Sequence, residues 1–121
     1  MSYDDNNIFA KILRKELPAK VVYEDDHTLA FHDINPEMPV HILVIPKGRY
    51  ISAADFGASA SPEEITAFYR ALSHVGKLMN VEESGYRVIC NVGPDSQQMV
   101  PHFHAHLLGG KKMGLALVPA G

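Results

Sequence analysis

The sequence predicts an α+β domain built on a mainly antiparallel sheet. Strand-like segments outnumber helical ones, two of the strands read as a hairpin, and the two helical segments sit outside any alternating strand–helix rhythm. At 121 residues the chain is one domain, long enough to bury a core without staples.

Each element follows from local pattern. A cap at Asn6 or Asn7 opens a short helix through "NIFAKILRKE", whose Ile8, Phe9, Ile12 and Leu13 share one face, and Pro18 ends it. "KVVYED" is a strand, Asp25-Asp26-His27 a turn, and "TLAFHDI" the hairpin partner. "INPEMPV", with two prolines, is a loop, and "HILVIP" is a buried strand closed by Pro46. "KGRYISAADFGASA" reads as irregular. Ser61-Pro62-Glu63-Glu64 then starts the longest helix: Ser61 caps, Pro62 takes the first helical position, and Glu64 completes a capping box. Ile65, Phe68, Leu72, Val75 and Met79 continue at helical spacing. Gly85 precedes the strand "YRVICN", "VGPDSQQMVP" is a loop, and "HFHAHLL" is a strand stopped by the double glycine. The pattern assigns no element to the tail "KKMGLALVPAG".

Bulk properties narrow the function. The net charge of −3 and the lack of a basic run argue against general nucleic-acid binding. One cysteine, Cys90, excludes an internal disulfide and fits a reducing compartment. The acidic, polar start "MSYDDNNIFA" is unlike a signal peptide, and no apolar run reaches membrane-spanning length. The expectation is a cytoplasmic protein without membrane contact.

The chemistry concentrates in "VPHFHAHLL". On a strand, His102, His104 and His106 share one face, while Phe103, Ala105 and Leu107 face a core. Such a row could be a polar face without function, a metal site or a covalent catalyst. Three successive imidazoles spread over roughly 13 Å at strand rise, which suits one ion poorly. No cysteine pair or acidic cluster adjoins them in the sequence. Neutral imidazole is a good nucleophile, and flanking imidazoles can hold one tautomer and donate to an anionic substrate.

The pattern His-x-His-x-His-x-x with apolar x resembles the histidine triad family. "NIFAKILRKELPAKVVYEDD", "LAFHDINPEMPVHILVIPK" and "HLLGG" are similar to its Hint branch, the nucleoside phosphoramidases. The diadenosine-polyphosphate hydrolase branch is less similar in the N-terminal half, and the galactose-1-phosphate uridylyltransferase branch has larger chains. The likeness runs from about Asn7 to Gly110, leaving 111–121 as a tail on a single domain. It implies a five-stranded antiparallel sheet with two helices and a homodimer whose sheets join into ten strands, the long helices packing at the interface.

The resemblance also implies roles. His104 becomes the nucleophile that attacks the α-phosphorus of a purine nucleotide, His106 contacts the α-phosphate, His102 orients the nucleophile, and His41 supports them from a neighbouring strand. Asp33 accepts both ribose hydroxyls, as suits an acceptor-only carboxylate. Ile8, Phe9, Ile12, Ile34 and Leu43 wall the purine, and Asn91 and Gln98 contact phosphate. Without the resemblance, His41 reads as a core or strand-edge histidine, Asp33 as a turn residue, the apolar set as core, and the two amides as turn residues. No metal or other cofactor is implied. The product is AMP or GMP.

Two departures stand out. The animal Hint pattern carries a serine next to the glutamine, where this chain has Met99, which cannot donate a hydrogen bond. The animal branch also ends in a Trp- and Pro-containing tail that reaches the partner's site. Here Leu115, Leu117 and Val118 either pack on the partner or stay flexible, and the chain has no Trp. The expected activity is hydrolysis of purine nucleoside 5′-phosphoramidates. The alternatives are a dinucleoside polyphosphate hydrolase, a non-catalytic nucleotide- or partner-binding module, and a zinc protein.

Overall fold

The computed structural model describes residues 2–117. The elements run α1 (Ile8–Leu13), β1 (Val21–Glu24), β2 (Thr28–His32), β3 (Val40–Pro46), α2 (Ala53–Ser59), α3 (Pro62–Leu78), β4 (Tyr86–Ile89) and β5 (Ala105–Gly109). The sheet has five strands in the order β1-β2-β3-β5-β4, and every neighbouring pair is antiparallel. The expected fold class is therefore observed.

Local chemistry sets the element ends. Asn7 caps α1, its side chain accepting from the Ala10 N–H. The helix stops before Pro18 because Lys15 turns left-handed (φ 62°), its N–H donating to Ile12 and that of Glu16 to Lys11. Asp25 closes the β1–β2 hairpin, one carboxylate oxygen accepting from the N–H groups of His27 and Thr28. At α3 the Ser61–Glu64 capping box forms with Pro62 at the first helical position. Gly110, at φ 94°, ends β5 where an added Cβ would lie 2.9 Å from the Pro39 side chain.

Two expectations need correction. Residues 53–59, read as irregular, form α2, so the domain has three helices among the described residues. A capping box starts it, but with Asp55 rather than Glu or Gln, and the helix carries Gly57 and buries only Phe56, so periodicity gave no signal. "HFHAHLL" is a strand only from Ala105. Pro101 has no N–H, and the Phe103 N–H turns aside to the Tyr50 carbonyl at 2.7 Å, so the ladder with β3 begins at Ala105↔Val44.

The strands alternate cleanly. Ala30, Ile42, Val44, Ala105 and Leu107 point to one face and pack with Phe56, Phe68, Leu72, Val75 and Phe103 beneath α2 and α3. Leu29, Phe31, Leu43 and Ile45 point to the other face and pack with Phe9 of α1. That short helix leaves part of its face open. No helix of the described residues is long and apolar enough to cross a membrane. Leu115 and Leu117 are exposed, and Val118 lies outside the described residues.

Candidate active site

The open face of the sheet holds a cavity of about 840 Å³, within the range of small-molecule sites. β3 and β5 form its floor. Their register pairs Leu43 with His106, which sets His41, two residues earlier, diagonally beside His106. The His41 and His106 ring centroids are 5.2 Å apart, and those of His104 and His106 5.0 Å. Asp33 follows β2 directly; its N–H donates to the His41 carbonyl, bringing the carboxylate 3.4 Å from His41 Nε2. The Asn35 N–H holds the other Asp33 oxygen at 2.8 Å.

The hydrogen bonds assign every histidine tautomer in the cluster. The Glu37 N–H donates to His41 Nδ1 at 3.1 Å, so neutral His41 carries its proton on Nε2. That Nε2–H donates to His106 Nδ1 at 3.0 Å, which places the His106 proton on Nε2. His104 Nδ1–H donates to the His102 carbonyl at 2.7 Å, leaving Nε2 with a lone pair. His102 Nε2–H donates to the Pro46 carbonyl at 2.8 Å, and its Nδ1 accepts from the Tyr3 hydroxyl. His104 and His106 line the cavity, while His102 is 0 % exposed beneath them.

Electrostatics favour the neutral forms of His102, His104 and His106. Burial, the charge His104 would carry and that of His41 push His106 down to about 4, with Asp33 opposing. Burial also lowers His104, against its bond to the His102 carbonyl and the Asp33 charge. His102 is lowered by burial too, opposed by its bond to Pro46. At neutral pH, His104 Nε2 is a free base, and His106 offers an N–H beside it.

The remaining site residues expected from the sequence fall in two groups. Ile8, Phe9, Ile12, Ile34, Leu43, Asp33, Asn91 and Met99 all line the cavity with the histidines. Ile34 and Met99, 90 % and 85 % exposed, stand at its rim, whereas Phe9 and Leu43 are buried. Phe9 meets the His104 ring edge-on at 5.0 Å. Gln98 requires a correction. Its amide nitrogen donates to the carbonyls of Ile51 and Val100 at 2.6 and 3.0 Å, and its oxygen accepts from the Gly93 N–H. Both amide hydrogens are committed to holding the loop, so the side chain does not face the cavity. Gln97, with a left-handed backbone (φ 58°), lines it instead.

Sequence reasoning also missed Phe31, which lines the cavity opposite Leu43 in the β2–β3 register; its alternation with Ala30 was the available signal. Asp33, His41 and His106 bring one ligand atom each within 4.8 Å of one another, an acidic partner for the histidines that the linear sequence hid. A second groove of about 720 Å³, across Ile12 and Ala19, contains no histidine.

Comparison with known proteins agrees with this geometry. The HIT domain family matches residues 14–113. A "14 kDa zinc-binding protein" of Zea mays is 44% identical over 113 residues, covering 91% of this chain and 86% of that protein. Among solved structures, a HIT family hydrolase from Clostridium thermocellum superposes with a TM-score of 0.86 at 37% identity, covering 95% of this chain and 99% of that one. A histidine triad nucleotide-binding protein from Candida albicans gives 0.81 at 27% identity, covering 96% and 85%. With a family match spanning most of its length and a histidine triad set on β5 and the turn before it, this chain belongs to the HIT domain family.

Proposed function

We propose that this protein hydrolyses purine nucleoside 5′-phosphoramidates through a nucleotidyl-His104 intermediate. The observation that carries this reading is the His104 tautomer: Nδ1–H is committed to the His102 carbonyl, and the free Nε2 lies beside His106 in an apolar-walled cavity. Two similar structures, one a HIT family hydrolase and one a histidine triad nucleotide-binding protein, support the class of substrate and reaction.

In the first step, His104 Nε2 attacks the α-phosphorus, the new N–P bond forms, and the P–N bond to the leaving amine breaks as that amine takes up a proton. His106 Nε2–H donates to the phosphoryl oxygen, where charge develops. In the second step, water attacks phosphorus, the His104–phosphorus bond breaks, and the nucleoside monophosphate leaves. Asp33 accepts from the ribose hydroxyls while Phe9, Phe31, Leu43 and Ile12 enclose the base. The protein works as a cytoplasmic homodimer in this reading. β4 is one of the sheet's two edge strands, its Val88 and Ile89 are exposed, and Tyr69 and Leu78 of α3 are exposed as well, so a second copy has a strand edge and apolar surface to cover.

The zinc named for the maize relative fits Asp33, His41 and His106 poorly. To coordinate through Nε2, neutral His41 would need its proton on Nδ1, where the Glu37 N–H already donates. The mechanism therefore uses no metal.

Steady-state hydrolysis of adenosine 5′-phosphoramidate in excess chelator tests the proposal. The wild-type protein should turn over and His104→Ala should lose at least about 10⁴-fold in kcat, on the scale of losing a covalent catalyst. Full turnover by a clean His104→Ala preparation would overturn the mechanism. Faster hydrolysis of a diadenosine polyphosphate would move the protein to that class of hydrolase, and AMP binding without any turnover to a nucleotide-binding module.

A further inference from the structure

The tautomer that arms His104 depends on one acceptor, the main-chain carbonyl of His102. That carbonyl lies upstream of the sheet ladder, which begins at Ala105. The strand pairing that fixes His106 does not reach it, so other contacts must hold it in place. Phe103 N–H to Tyr50 is one. The His102 ring supplies two more, since it is 0 % exposed and spans from the end of β3 at Pro46 to the Tyr3 hydroxyl.

Tyr3 is itself tied down. The Arg49 guanidinium lies 5.0 Å over its ring and grips Asp5 with two hydrogen bonds of 2.9 Å. Arg14 donates to the Asp5 carbonyl at 2.9 Å. The Tyr3 and His102 rings meet edge-on at 5.6 Å. Residues 3–5 thus cross the back of the triad, 99 positions away in sequence from the histidine they touch.

We propose that the N-terminal arm is a strap, and that the Tyr3 hydroxyl is a positioning group that pins His102 and thereby the carbonyl that orients the nucleophile. This rests on His104 being the nucleophile. Tyr3 touches no substrate; it acts through His102. Without its O–H, a buried imidazole nitrogen loses its only donor among the described residues, and the cheapest relief is movement of the ring to reach water or another partner. The carbonyl moves with the ring.

Tyr3→Phe tests this, because it keeps the ring, the edge contact and the Arg49 stack while removing one hydroxyl. We expect kcat to fall about ten- to a hundred-fold, the scale of small misplacements at a reacting group, with KM within about two-fold. In ¹⁵N spectra of the AMP-bound protein, His104 should change from a single Nδ1–H form to a mixture of tautomers, which a merely stabilising residue would not cause. Arg49→Met loosens the strap without touching His102 and should shift both readouts the same way by less. Unchanged kcat and an unchanged His104 spectrum in Tyr3→Phe would overturn the strap, as would a loss explained wholly by unfolding while Arg49→Met is silent. If the wild-type protein fails to hydrolyse the phosphoramidate, the proposed function falls, and the tautomer spectrum alone decides the strap.

Discussion

One face of the sheet is sealed and the other is left open. On the α3 side, Ile42, Val44, Ala105 and Leu107 are covered completely by two helices and a cluster of phenylalanines. Shifted one residue along β3 and β5, His41, Leu43 and His106, with His104 from the turn just before β5, face a cavity that the six-residue helix α1 only partly covers. The sealed face is predominantly apolar, with Thr28 of β2 buried on it beside Ala30, and close packing stabilises it. The open face contains groups that are costly to bury, and a specific hydrogen bond fixes the tautomer of each histidine there. Stability and chemistry thus occupy opposite faces of one sheet, one residue out of phase.

The contrast can be broken most strongly on the sealed face. Phe68 stacks on Phe103 at 4.8 Å and is nearly fully buried. Phe68→Ala should cost about 3–5 kcal/mol of stability in chemical denaturation, while kcat per folded molecule stays near the wild-type value. A comparable loss of kcat at full folding would show that the two faces are coupled.

Acid should act through the open face. His106 is held at about 4 and His104 and His102 are also lowered, all against an unfolded value of about 6.5. Between about 4 and 6.5 the unfolded chain therefore binds more protons, and stability falls as pH falls through that window. Thermal unfolding followed from pH 7 to pH 4 should show this slope. His106→Gln should flatten it, and a sealed-face variant should leave it intact.

The smallest effect is expected at the rim. Met99 is largely exposed, so Met99→Ser should change stability by less than about 0.5 kcal/mol. Supplying a hydroxyl there should raise kcat on the phosphoramidate about ten-fold. An unchanged kcat would show that the departing amine gets its proton without that position.

Legibility in the sequence followed the range of the interaction. α3 was readable because its capping box and apolar stripe lie within one stretch of chain, and the capping residues bond to their own helix. The strands were readable by alternation, but of the three histidines expected on one face only His104 and His106 line the cavity, since the strand starts at Ala105 and His102 lies buried beneath them. α2 was not readable, since a seven-residue helix with one buried side chain leaves little periodicity. Gln97 and Gln98 show the limit at single-residue scale: adjacent identical side chains differ in role because a left-handed turn at Gln97 sends one to the cavity and the other into the loop.

The sequence by itself determined the sheet, the long helix and the row of imidazoles, because period and capping act between neighbours in the chain. The tertiary structure alone decided which proton each imidazole holds. His41 meets His106 across 65 residues, and Tyr3 meets His102 across 99. A tautomer is set by the partner of the ring's other nitrogen, and folding alone brings those partners together.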